Sequence, residues 1–212
     1  MSMAMAASAP GLGEETPPGF IHRLADRRRR DEATATIGMV VFLASWAMLF
    51  AGLFFSYGLL RARTPVWPPL DQPPLPVLLP GVNTAVAALG SGAVILALHL
   101  LRAGHLRRGS WALAASSVLG AVFLALQVMV WVGLYRAGLV PSGGPYPSVF
   151  YGLTFVHALH VLVGIAALAW LAVRGFSGAV TAHRHLSVRL WGMYWHFVGL
   201  VWLVLFATVY VI

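Results

Sequence analysis

Cysteine is absent from the 212 residues, which excludes disulfides, thiolate metal sites and iron–sulfur clusters and leaves histidine as the ligand for any haem or metal. Nothing can be read from cysteine about redox compartment. Lysine is absent as well, so all 14 basic residues are arginines. Acids number six, and Glu14, Glu15, Asp26, Asp31, Glu32 and Asp71 all precede the second long apolar run. Charged residues make up 9% of the chain, against about a quarter in soluble domains. Hydrophobic residues reach 59% and mean hydropathy is +0.82, so lipid is the solvent for most of this chain. Period-two alternation is missing, which argues against membrane β-strands. No internal repeat is visible, which argues against the paired halves of a transporter.

What is present is a series of five apolar stretches, near 35–60, 82–101, 111–135, 148–173 and 190–212. Each is long enough for a helix that crosses about 30 Å of hydrocarbon. The expected fold is all-α, a five-transmembrane-helix bundle over 34–212 preceded by a polar, partly disordered tail over 1–33. Arginines sit between the apolar runs, which speaks for membrane topology and against nucleic acid binding. Arg23, Arg27, Arg28, Arg29, Arg30, Arg102, Arg107, Arg108, Arg174, Arg184 and Arg189 fall on one side, and only Arg61, Arg63 and Arg136 on the other. The positive-inside rule then puts the N-terminus in the cytoplasm and the C-terminus outside. Residues 1–10 lack the charged start and apolar stretch of a secretory signal, so the N-terminus is expected to remain in the mature protein. The loop 64–80 holds seven prolines, which favour an extended, stiff path along the outer surface.

Ionisable groups inside spans are costly and mark function. None of the acids lies within a span, which argues against a proton pump or cation-coupled transporter. The titratable groups left inside are histidines. His157 and His160 lie three residues apart in the fourth span, about 60° apart around a helix, and His196 lies in the fifth. One reading is haem or metal ligation, giving a small membrane cytochrome in which His157 or His160 pairs with His196. The other is hydrogen bonding between helices. Gln127 at the centre of the third span must find partners on a neighbouring helix. Gly192, His196 and Gly199 share a face open to close helix approach, and Gly90, Ser91 and Gly92 read as helix contacts. Trp67, Trp111, Tyr135 and Tyr194 are expected as headgroup anchors, and Arg61 or Arg63 as contacts to lipid phosphate at the outer interface. His183 and His185 lie in a loop and could collect protons. No catalytic residue and no metal site is expected.

From Ile37 to the end the chain resembles subunit III of the haem-copper oxidases. The matching pieces are Gly38-Met39, Phe42-Leu43-Ala44-Ser45, 48–53 with Tyr57 and Arg61, Trp67-Pro68-Pro69, Asn83-Thr84, and Gly120 with Gln127. They continue with Phe150-Tyr151, Thr154, His157, His160-Val161 and Gly164, and end at Tyr194-Trp195-His196-Phe197-Val198 with Trp202. The resemblance implies a non-catalytic subunit of a terminal oxidase that reduces oxygen to water with electrons from cytochrome c or quinol. Such a subunit packs against subunit I and other oxidase subunits. Haem and copper reside in that partner and none in this chain, and structural phospholipid is held in a cleft. The implied setting is a bacterial-type inner membrane, and five spans match the shorter form of the family. Trp195 and Trp202 join Gln127, His157, His160 and His196 as helix-contact or lipid-cleft candidates. Where family members commonly carry membrane carboxylates, this sequence resembles them with Trp46, Val130 and Gly199 instead. The missing acids shift the implied role from proton support to scaffold and lipid holder, and leave open a related branch, the accessory protein of nitric oxide reductases.

Overall fold

A computed structural model describes residues 20–67, 69, 72–178 and 185–211. All regular structure among them is helical: α1 (Phe20–Arg63), α2 (Leu78–Arg102), α3 (Leu106–Arg136), α4 (Pro145–Phe176), α5 (Leu186–Leu205), and a π-helical segment, Phe206–Val211, that continues α5. Each of the five helices carries a stretch long and apolar enough to cross a membrane. The chain is an all-α, multi-pass membrane protein. Among the described residues, 20–37 form one unit and 38–211 another. Of the polar tail expected over 1–33, residues 1–19 lie outside the described residues, and the backbone is helical from Phe20 onward.

The helices are longer than the apolar runs that announce them. α2 starts at Leu78 and not at 82, α3 at Leu106 and not at 111, α4 at Pro145 and not at 148, and α5 at Leu186 and not at 190. The reason is physical. Only the hydrocarbon-embedded part of a helix must be apolar, and its ends run on into the polar interface. Arg102, Arg136 and Arg174 sit in the last turns of α2, α3 and α4, where a cation meets the partial negative charge of unsatisfied carbonyls.

Two helix ends share one device. After Arg102-Ala103, Gly104 takes φ +82°, and after Arg136-Ala137, Gly138 takes φ +98°. The N–H groups of Gly104 and His105 donate to the carbonyls of Leu101 and Leu100, and those of Gly138 and Leu139 to Tyr135 and Leu134. This is the Schellman arrangement, which needs a left-handed residue that glycine adopts without steric cost. The sharp reversals bring α3 back antiparallel to α2, and α4 back along α3.

α2 packs against α3 and α5, and α4 against α3 and α5. α1 meets this group through large side chains on one stripe. Phe42 stacks near Tyr194 at 6.4 Å, Trp46 lies edge-on to His160 at 4.2 Å, and Phe50 faces His157 at 6.2 Å. Tyr57 is also buried, at 3% exposed, whereas Val41, Met48 and Phe55 on the open side of α1 are all more than 60% exposed. The proline-rich loop is pinned by Trp67, whose ring sits edge-on to Tyr57 and Tyr146 at 5.4 Å and 4.9 Å.

Candidate functional site

The polar interior is assembled from neutral groups, and most are tied down. Ser116 on α3 donates to the carbonyl of Gly90 on α2 at 2.9 Å, and Asn83 Nδ2 to the carbonyl of Phe123 at 3.2 Å. Trp202 Nε1 donates to Thr84 Oγ1 at 3.0 Å, joining α5 to α2, and Trp131 Nε1 donates to Thr154 Oγ1 at 3.1 Å, joining α3 to α4. Gln127 is 1% exposed, and its Nε2 reaches Tyr210 Oη in the π-helical segment at 3.4 Å. Each such bond replaces a partner that hydrocarbon cannot supply.

His157 and His160 part company. His157 is 1% exposed and points inward, with its ring 5.6 Å from that of Trp202 and 6.0 Å from that of Phe123. Neither of its ring nitrogens has a hydrogen-bond partner among the described residues. His160 turns toward α1, between Trp46 and Phe50, with Nδ1 2.7 Å from the carbonyl of Val156 one turn back. The 60° between them on the helix is enough to place one in the bundle and the other under α1. Trp46, where the resemblance led to an expected carboxylate, is the aromatic lid over His160.

Trp195 fills the centre. Its indole lies where a Cβ on Gly120 would come within 2.6 Å, one on Gly164 within 2.8 Å and one on Gly90 within 3.5 Å. Three helices thus offer a socket of glycines to one side chain from the fourth. Gly192 and Gly199 bring α5 against Val94 and Ser91 of α2, and His196 on the same face is half-buried beside α2.

The paired-histidine haem does not fit. The cavity beside His157 measures about 20 Å³, room for about one water molecule, whereas cofactor sites take hundreds of Å³. His196 borders a different space, between α2 and α5. Among the described residues no three His, Asp or Glu side chains converge as metal ligands.

Two expected headgroup anchors are something else. Tyr194 is buried and donates to the carbonyl of His160 at 3.0 Å, and Trp67 is half-buried between two tyrosines. Trp111 and Tyr135 are exposed, 62% and 61%. Arg61 is drawn over the Trp67 ring, with its guanidinium carbon 6.0 Å from the ring centroid, while Arg63 is exposed. His185 is half-buried at the start of α5, and His183 lies outside the described residues. The tyrosine partners of Gln127 and His160 escaped sequence reasoning, because Tyr210 lies in a span end with no motif and Tyr194 has an interfacial look.

A family model described as "Cytochrome c oxidase subunit III" matches residues 29–212. Among curated relatives named "Cytochrome c oxidase subunit 3", that of Formosania lacustris is 36% identical over 179 residues, covering 82% of this chain and 67% of the relative. Those of Oryctolagus cuniculus and Cyprinus carpio are 34% and 35% identical over the same shares. The matched length takes in every helix whose contacts build the neutral interior. The chain belongs to the cytochrome c oxidase subunit III family.

Proposed function

We propose that this chain is the non-catalytic third subunit of a haem-copper terminal oxidase, a scaffold that packs against the haem- and copper-bearing subunit I and other oxidase subunits and holds phospholipid. The observation that carries this reading is the interior itself: His157 and His160 are boxed by aromatics, His160 is bonded to backbone, and the cavity beside His157 has room for about one water molecule. Gln127, His157, His160, Trp195 and Trp202 then serve as helix contacts, and His196 faces a groove. The open apolar side of α1 offers area for protein or lipid. The relatives carry the oxidase name, which favours that branch over an accessory protein of nitric oxide reductase.

Affinity purification of the tagged chain in mild detergent is expected to bring down a haem-containing subunit with a visible Soret band. Recovery of the chain alone would sink the reading. The membrane is of the bacterial inner type, with the cytoplasmic side at the start of α1 and at the ends of α2 and α4, following the arginine bias. A C-terminal alkaline phosphatase fusion should therefore be active and a C-terminal fluorescent-protein fusion dark, and the reverse pattern would invert this topology.

A further inference from the structure

Between α2 and α5 the surface sinks into two depressions of about 270 Å³ and 440 Å³. Ile95 and His196 line both, so they form one groove. At one end, where α2 stops and α5 starts, Arg102 and Arg189 border it together with His99. The walls below them are apolar: Val94, Leu98 and Met193. Farther on, the groove runs between Gly92 and Ala88 on α2 and Leu200 and Leu203 on α5. Its Thr84 hydroxyl is already engaged by Trp202 and by the carbonyl of Pro80. No acid lines either depression. Along α2 the groove passes Ile95 at roughly 10 Å from Arg102 and reaches Thr84 at roughly 27 Å, at 1.5 Å per residue, close to the hydrocarbon thickness of a bilayer.

We propose that this groove seats one anionic phospholipid, its phosphate between Arg102 and Arg189 and one acyl chain lying along α2 and α5 past Ile95 and His196. Charge complementarity selects the occupant. Two guanidiniums at the mouth of an acid-free, largely apolar channel match a phosphate by bidentate hydrogen bonding, and a channel longer than one leaflet has room for an acyl chain along it. A soluble anion would use the arginines and leave the channel empty. A protein segment would have to bring its own acid to the same point. Gly192 and Gly199 contribute by drawing α5 onto α2 above and below His196, which shapes the floor of the groove. The site is distinct from Arg61 and Arg63, which lie at the C-terminal end of α1. The proposal rests on the lipid-holding reading and gives one lipid an address. Failure to bring down a haem subunit would sink the former reading and leave the lipid measurement intact.

The test is native mass spectrometry of the full chain, in the complex it purifies with, titrated with phosphatidylglycerol and with phosphatidylcholine. Expected is one retained phosphatidylglycerol, preferred over phosphatidylcholine. R102Q/R189Q should weaken that preference about tenfold, and R136Q, at the end of α3 away from the groove, should leave it unchanged. A88W keeps both arginines and fills the channel, and should reduce retention of either lipid. It decides the matter if the double arginine variant does not fold. Inorganic phosphate should not displace the bound lipid. Equal retention of the two lipids, wild-type retention in R102Q/R189Q or in A88W, or displacement by phosphate would each overturn the proposal. Loss of a protein subunit from R102Q/R189Q with lipid retention unchanged would also overturn it, by making the groove a protein interface.

Discussion

Replacing Trp195 with alanine is expected to lower stability by about 3 kcal/mol or more, read as a drop in the thermal midpoint in detergent and in the yield of assembled complex. The side chain is 6% exposed and touches glycines on three helices, so truncation opens a cavity that α2, α3, α4 and α5 all face. In lipid the unfolded helices remain solvated by hydrocarbon, so little of this cost is hydrophobic transfer. It is lost packing, the term that holds membrane helices together. Trp195→Phe should recover part of the loss. A midpoint unchanged in Trp195→Ala would mean that the four helices do not pack around this ring.

The converse substitution attacks the same socket from the other side. Gly120→Val places a Cβ 2.6 Å from Trp195 Cη2 and 2.7 Å from Ile165 Cγ1, distances that real side chains essentially never adopt; Trp195 is buried and Ile165 half-buried. Overpacking of this kind costs about 1–3 kcal/mol, and the upper end is expected because the buried indole is walled by glycines on three helices and has little room to move. The two changes should also be coupled. In Trp195→Ala/Gly120→Val the added methyls enter the space the indole vacates, so the double variant should be more stable than the sum of the singles implies. Strict additivity in thermal or denaturant unfolding would show that Gly120 and Trp195 do not share a space.

How much of this was open to inspection in the sequence differs by level. The five spans stand out because lipid demands continuous apolar runs. Their ends were less visible, although Arg102-Ala103-Gly104 and Arg136-Ala137-Gly138 repeat a stop signal that arginine counting treats only as topology. The burial of Gln127, His157 and His160 follows from residue type and depth. Their directions do not, because 60° of rotation separates a side chain in the bundle from one beneath α1. The socket of Trp195 is the least legible feature. Gly90, Gly120 and Gly164 reside on three helices, and their common depth is set only when the helices assemble. The resemblance marked Gly120, Gly164 and Trp195 singly without joining them. Tyr194 was misplaced for a related reason, since a tyrosine near a span end looks interfacial until the helix is known to start at Leu186.

The central claim is that the buried histidines pack and do no chemistry, and His157 is where it is most exposed to test. Its ring stacks on Trp202 and no described residue bonds its nitrogens, so leucine in its place should change stability by no more than about 1 kcal/mol. The decisive measurement is the oxygen-consumption rate and visible spectrum of the purified complex carrying His157→Leu. The expected result is an assembled complex with an unaltered haem spectrum and turnover within about twofold of wild type, less than half a kcal/mol of barrier. A complex that assembles with its haems intact but turns over tenfold more slowly, or loses haem absorbance, would contradict the scaffold reading.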